Sequence, residues 1–482
     1  MSSQLVINYR AYETRVALLE DGKLAELYIE RHNSEEILGN IYKGKVVRVL
    51  PGIQAAFVDI GYERTGFLCI QDLIPKLSGE KEKIRIEDQL CEGQEIVVQV
   101  IKSPSKGKGP RLTTNITLAG RRLVLMPYNK IIGVSKKIKE KEERERLKSI
   151  IDEIRKDDMG VIVRTVSKGA TKEKLREEMI FLHKLWGDVS SKIKTCSAPS
   201  LLYKELSITL KAIRDLFTRD VDKLIIDSKE EYNAIMNFIN DFAPGLRYSI
   251  ELYEGAEPIF EKYGIEQQIE KLFQRRVYLK SGGFIVIEQT EALTAIDVNT
   301  GSYVGEYDVE ETALRTNLEA VKEIAHQIRL RNISGLIVID FIDMEKKANK
   351  DKVFNALKDA FSKDKAKTNI QYISSLGLVE MTRERTRLDL KESLTEPCPY
   401  CAGRGLVKSK ESICCEIFRE LEKRKNIFRL RDEDIRIFVH PDINLFVREF
   451  KEEYIKELEN ELKKKITFIP KQQLHIEKYE IV

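Results

Sequence analysis

At 482 residues the chain has material for about three folding units, which excludes a lone peptide-recognition module. With 42% hydrophobic and 33% charged residues it has the make-up of a folded globular protein, not of a disordered or fibrous one. Lys plus Arg is 82 and Asp plus Glu is 78, a net charge of +4, so any surface for a polyanion must come from local clustering.

The opening MSSQLVINYR lacks a charged segment followed by an apolar core, and no later apolar run approaches the roughly 18 residues of a membrane span; the expected location is cytoplasmic. From 37 to 115 short strands follow one another: IYKGKVVRVL (41–50), AAFVDIG (55–61), TGFLCI (65–70) and EIVVQVIKS (95–103). Gly, Pro and charged turns separate them, the pattern of a small closed β-barrel. The segment KSPSKGKGPR (102–111) holds four basic residues, no acid, two Gly and two Pro, and reads as a flexible cationic loop suited to phosphates. It lacks the GxxxxGK[ST] spacing of a nucleotide-hydrolysing loop.

In the charged run 136–158, Leu147, Ile150, Ile151 and Ile154 fall at helical spacing, so an amphipathic helix is expected there. GVIVRT (160–165) reads as a buried strand and 171–194 as a second helix. After the strand LIIDS (224–228) and the helix 231–242, the runs GGFIVIEQT (282–290) and LTAIDVN (293–299) are close enough to pair as a hairpin. A long helix follows, with Asp308 able to cap it, Glu311 to complete a capping box, and Leu314, Leu318, Val321, Ile324 and Ile328 in one apolar stripe. GLIVIDFIDM (335–344), a helix near 351–362 and a strand near 369–374 continue the α/β alternation, and about 70 residues beyond 411 carry helical and strand segments of their own.

Asp297, with Asn299 two residues on, and Asp340 each end an apolar strand run, where an ionised carboxylate is costly without a partner. Two such carboxylates at neighbouring strand ends would suit a hard divalent cation such as Mg²⁺; the plain alternative is that each caps the next turn. On the barrel, Phe57, Phe67 and Tyr42 are interleaved with Lys43, Lys45 and the 102–111 loop, which fits single-stranded nucleic acid, although spacing alone leaves Phe57 equally suited to the barrel core. Seven cysteines, an odd and sparse set, suit a reducing compartment. Cys69, Cys91 and Cys196 read as small buried hydrophobes, whereas Cys398 and Cys401 form a CxxC knuckle with the spacing for half of a tetrahedral zinc site, the plain alternative being an exposed redox pair. Cys414 and Cys415 could complete it, but adjacent residues make a poor half-site and the knuckle of a second chain would do better. The histidines, His32, His183, His326, His440 and His475, lie in no strong motif, which leaves metal-free acid–base cleavage little to stand on.

In this order, NIYKGKVVRVLPGIQAAFVDIGYERTGFL, LAGRRLVLMP, GVIVRT, TEALTAIDVNTGSYVG, ETALRTNLEAVKEIAHQIRLRNISGLIVIDFIDM, LGLVEMTRERTR and CPYCAGRG resemble the ribonuclease E/G family of bacterial endoribonucleases, over about residues 4–408 and in its short form. The resemblance implies a multidomain α/β plus α+β chain. An S1-type OB barrel (37–117) would be inserted in a ribonuclease H-like subdomain (1–36 plus 210–277), followed by a 5′-sensor region (118–209), a DNase I-like catalytic subdomain (278–397), a zinc link (398–408) and a small C-terminal domain (409–482). It further implies Mg²⁺ on Asp297 and Asp340 with Asn299 orienting them, RNA along Phe57, Phe67 and Lys108, and a 5′-monophosphate pocket of Val124, Arg164 and Thr165. Cys398 and Cys401 of two chains would share one Zn²⁺.

The implied activity is Mg²⁺-dependent cutting of single-stranded RNA that leaves 5′-phosphate and 3′-hydroxyl ends, is stimulated by a 5′-monophosphate, and acts on rRNA precursors and mRNA. The expected assembly is a homodimer or a tetramer, without the long degradosome scaffold of the family's longer members. Lys136 and Lys137 depart from the arginine pair usual near the pocket, with Lys365 and Lys367 in a similarly basic segment, so end-sensing should be moderate. A non-catalytic S1-domain RNA-binding or chaperone protein is the alternative from another class, and it would have no need of the paired aspartates. CPYCAGRG also fits the CxxCxGxG unit of DnaJ-type zinc domains, but those repeat it four times and this chain has it once.

Overall fold

The computed structural model describes residues 2–31, 36–74, 85–104, 108–155, 158–217, 221–242, 249–302, 308–385, 387, 389–430 and 433–482. His32, residues 105–107 of the cationic loop and the end of TEALTAIDVNTGSYVG lie outside the described residues. The chain divides into two compact units, Met1–Asp389 and Leu390–Val482. Among the described residues no helix is long and apolar enough to cross a membrane.

The first unit begins with an antiparallel meander, Ser3–Tyr9, Glu13–Glu20 and Lys23–Arg31, to which Lys223–Ile226 and then Ile250–Leu252 add in parallel. The chain thus leaves this sheet at Arg31 and returns to it at Lys223. In between lies the barrel: Ile41–Leu50, Ala55–Asp59, Gly66–Cys69, Arg111–Thr113 and Glu95–Lys102, closed by pairing of the first with the last. Val46, Ala56, Val58, Leu68, Val98 and Leu112 fill its interior. Arg111 is a correction to the sequence reading, which put it in a flexible loop. It opens a strand because the Phe67 amide donates to the Pro110 carbonyl at 2.8 Å, drawing this stretch alongside Gly66–Cys69.

A four-stranded sheet follows, in the order Ile132–Val134, Gly160–Val163, Leu123–Met126 and Leu118–Ala119. The helices Lys141–Ile154 and Lys172–Thr195 bury Leu147, Ile151, Leu175, Met179 and Leu182 in one core with it. The first helix starts five residues later than its charge pattern suggests. Ile138 is drawn into the core, and Arg144 donates to the carbonyls of Val134, Ser135 and Ile138, which fixes the turn before it.

The last sheet of this unit runs Arg276–Tyr278, Phe284–Gln289, Leu293–Asn299, Gly335–Asp340, Leu378–Arg383 and Thr368–Ile370. Leu293–Asn299 and Gly335–Asp340 are parallel, so the chain must cross over between them, and the helix Val309–Arg331 does so. Asp308 caps that helix at the Glu310 amide, and Val321, Ile324 and Ile328 are buried on the sheet with Leu314 and Leu318 packed beside them. The helix Lys347–Ala360 covers the same face through Val353 and Leu357. Among the described residues the opposite face is left open, with Ala295, Asp297, Leu336 and Asp340 exposed on it.

In the second unit, Ile435–Val439 pairs in parallel with Ile466–Pro470 and antiparallel with Glu480–Ile481. The helices Lys410–Lys423, Pro441–Phe450 and Glu452–Leu462 build one core with this sheet. The scattered cysteines of the first unit are not buried hydrophobes: Cys91 is exposed in the turn that enters Glu95–Lys102, and Cys69 and Cys196 are half-buried.

Candidate functional site

Side chains alternate across a strand, so register decides which residues share the open face. On Leu293–Asn299, Thr294, Ile296 and Val298 point into the core, which turns Asp297 and Asn299 outward. On Gly335–Asp340, Ile337 and Ile339 point inward and Asp340 is exposed. Asp297 and Asp340 are register partners, carboxylate beside carboxylate at the carboxyl ends of two parallel strands, the end at which open α/β sheets bind ligands.

Asn299 Nδ2 donates to Asp297 Oδ2 at 2.8 Å, holding that carboxylate by one oxygen. Partial burial, then the charges of Asp297 and Asp343, push the Asp340 carboxyl above its ordinary value. A set of two carboxylates and an amide has the chemistry of a site for a hard cation. The sequence reading missed two neighbours. Asp343 lines a cavity of about 150 Å³ with Lys350, Ser375 and Gly377, and Glu380 faces outward on Leu378–Arg383, two residues beyond Leu378, the register partner of Asp340. Their signals were the second Asp of IDFIDM and the alternation of LVEMTR.

The same register lines extend to the sheet edge. Arg276, Val286, Asp297, Asp340 and Leu378 form one cross-strand row, and Tyr278, Phe284 and Asn299 form the next. All lie opposite the core-facing row of Val277, Ile285 and Val298.

On the barrel, Phe57 and Phe67 are register partners with ring centroids 5.9 Å apart in an edge-to-face pair. Their neighbours Ala56, Val58 and Leu68 fill the interior, so both rings are on the outer face and the core alternative for Phe57 falls away. Arg111 stands next in the row, its guanidinium held by Asp72 at 2.7 Å. Lys108 is exposed just before Gly109, which passes so close that a Cβ there would lie 2.0 Å from the Thr65 carbonyl oxygen. Phe57, Phe67 and Lys108 are therefore together, and Arg111 joins them.

Arg164 follows Gly160–Val163, and its amide donates to the Arg122 carbonyl at 2.7 Å, next to the strand that carries Val124. Arg164 Nη1 donates to the Gly120 carbonyl at 2.7 Å and lies 2.6 Å from Asp215 Oδ1. Burial would push the Asp215 carboxyl up, but Arg214 and Arg164 outweigh it and hold the group below its ordinary range. The Thr165 hydroxyl is 2.9 Å from that of Ser135, a residue the sequence reading missed. Beneath them the buried Glu178 accepts from the amides of Arg122 and Leu123. Of the basic residues expected nearby, Lys136 and Lys367 are exposed, but Lys137 donates to the Asp364 carbonyl at 2.8 Å and Lys365 pairs with Glu26 at 3.2 Å.

In the second unit Cys398 is exposed and Cys401 half-buried. The amides of Cys401 and Tyr400 lower the Cys398 thiol from its ordinary value. Tyr400 packs at a tilt against His475 with centroids 4.2 Å apart, and Arg404 pairs with Glu477 at 2.7 Å, which anchors the knuckle to its own unit. Cys414 is fully buried among Ile413, Ile417 and Phe418, and burial pushes its thiol up to about 11.

A sequence profile of the ribonuclease E/G family matches residues 117–386, and flanking profiles match an S1 RNA binding domain at 36–115 and the family's thioredoxin-like domain at 397–482. Ribonuclease G of Haemophilus influenzae is 42% identical over 99% of both chains. The chain belongs to the ribonuclease E/G family. Within that family, ribonuclease G of Escherichia coli K12 is 42% identical over 87% of this chain and 88% of its own. Ribonuclease E of Haemophilus influenzae is 42% identical over 88% of this chain but only 46% of its own length. The thioredoxin-like match gives the region beyond 397 a character that the sequence reading left as a small domain of unnamed type.

Proposed function

We propose that this endoribonuclease of RNA processing and turnover cuts single-stranded RNA with the help of Mg²⁺, leaves 5′-phosphate and 3′-hydroxyl ends, and works faster on RNA that carries a 5′-monophosphate. The observation that carries the reading is the register pairing of Asp297 with Asp340 on an open sheet face, with Asn299 bonded to the first. Mg²⁺ bound by these two carboxylates supplies Lewis acidity toward a phosphoryl oxygen and makes nearby water more acidic.

The chain's own residues do the rest. Asn299 fixes one oxygen of Asp297, leaving the other to meet the cation. Phe57 and Phe67 offer ring faces to unpaired bases while Lys108 and Arg111 follow the backbone, so a single strand is favoured over a duplex. Water adds to phosphorus and the 3′ oxygen departs with a proton. Arg164, held by Asp215 and the Gly120 carbonyl, presents its remaining donors to a terminal phosphate, with the Thr165 hydroxyl beside it. rRNA precursors and mRNA both contain the single-stranded stretches this reading requires. At the knuckle, the exposed Cys398, the half-buried Cys401 and a buried Cys414 support one Zn²⁺ shared by two chains, hence a homodimer.

The test is to digest total RNA with purified protein and map the ends. Ligatable 5′-phosphates appearing with Mg²⁺ and vanishing with chelator are expected. Cyclic-phosphate ends formed in chelator would overturn the reading.

A further inference from the structure

The open sheet face does not stop at the paired aspartates. At its edge, Tyr278 is 68% exposed, its ring centroid 6.2 Å from that of Phe284, and the Arg276 guanidinium lies over the Phe284 ring at 4.3 Å. Register fixes where this group stands. Phe284 is the partner of Asn299 on the strand next to Asp297, and Tyr278 is one strand further out. At about 4.8 Å between strands and 3.4 Å per residue, the two rings sit roughly 8 to 12 Å from the Asp297 backbone. The ring of Phe284 is also backed from behind: Gly301, at φ +59°, passes so closely that a Cβ there would lie 3.3 Å from Phe284 Cδ1. An exposed ring, Tyr278, beside a second ring capped by a cation and close to two carboxylates has a chemistry that the cleavage site does not itself need. It suits a base whose own phosphate is drawn toward a cation on the carboxylates, because stacking accepts any base and Arg offsets backbone charge.

We infer that Tyr278, Phe284 and Arg276 form a platform that seats the nucleotide flanking the scissile phosphate, an inference that rests on Asp297 and Asp340 being the cleavage site. The platform positions the substrate; it takes no part in bond breaking. Its loss should weaken the use of one particular nucleotide and leave the remainder of the RNA path intact.

The experiment uses the full chain in Mg²⁺ and one single-stranded RNA with a single cut site, prepared with an abasic nucleotide at each position around the cut. For wild type, kcat/KM should fall roughly tenfold at one or two positions next to the cut. Tyr278→Ala should be slowed by about as much on intact RNA and should lose little more at those positions, while Tyr278→Phe, which keeps the ring, should behave as wild type. Equal abasic penalties in wild type and Tyr278→Ala at every position would overturn the platform, as would a Tyr278→Ala variant as fast as wild type. Asp297→Asn is assayed on the same RNAs: if it cuts at the wild-type rate, the cleavage assignment fails whatever the abasic pattern shows, so the two failures are told apart.

Discussion

Replacing Arg164 by Ala should remove the preference for 5′-monophosphorylated RNA while leaving the fold in place. The side chain is only 30% exposed and makes two fixed contacts, to the Gly120 carbonyl at 2.7 Å and to Asp215 at 2.6 Å. Because one nitrogen is occupied by both, the guanidinium cannot swing, and its other donors present a set direction to a phosphate. A charge-assisted contact of this kind contributes about 1.5–3 kcal/mol, or roughly 10- to 100-fold in rate on the phosphorylated end. Asp215 would not be orphaned, since Arg214 remains at 3.0 Å, so the loss of stability should be only about 1 kcal/mol. Arg164→Lys should recover only part of the preference, because an ammonium keeps the charge but has no planar fork to aim separate donors at carbonyl, carboxylate and phosphate. The assay is cleavage of matched 5′-monophosphate, 5′-hydroxyl and circular RNAs by wild type and both variants, with thermal melting as the control for folding. If wild type cuts the first two equally and Arg164→Ala changes neither, Arg164 is no sensor.

Glu26 predicts an acid-sensitive joint in the first unit. Burial raises its carboxyl, but Lys365, Tyr28 and Arg329 outweigh it and bring the group down to about 2. Its folded value lies below the unfolded one, so its stabilisation of roughly 3 kcal/mol is present above pH about 4.5 and is lost as pH falls toward 2. Glu26→Gln should be less stable at pH 7 and flatter with pH than wild type in urea melts, and identical slopes would refute this. Cys398→Ser with Cys401→Ser should split a zinc-linked dimer without unfolding the chain, with wild type binding one zinc per two chains; one zinc per chain in a wild-type monomer would contradict sharing.

Much of the barrel and of the hairpin that carries Asp297 was legible because long strands show in their composition. IYKGKVVRVL and LTAIDVN are β-rich runs of seven or more residues bounded by turn residues, and the observed strands are Ile41–Leu50 and Leu293–Asn299. Short strands carry no such signal. Arg111–Thr113, Ser200–Tyr203 and Arg276–Tyr278 have three or four residues each, and only the partner strand shows that they are extended. That is why Arg111 was read as loop and why the edge platform was not anticipated. The Asp297–Asp340 pairing was suggested by two apolar runs that each end in Asp, but its register depends on the crossover helix between them, which sequence spacing does not specify. Cys91 shows the opposite failure: a residue type that is usually buried is exposed because it falls in a turn. Lys137 was counted as a charge for the RNA end, yet local geometry gives it two carbonyls of its own chain.

The central claim, that the paired carboxylates perform cleavage and do not merely cap turns, is tested most directly by Asp297→Asn, with cutting and RNA affinity measured side by side in Mg²⁺. The variant keeps the shape of the site and leaves the barrel untouched, so affinity for single-stranded RNA should stay within about twofold of wild type. The cleavage rate should fall by at least about 10³-fold, because a neutral amide gives up most of the attraction for the cation. Cutting at a near wild-type rate with affinity unchanged would contradict the account.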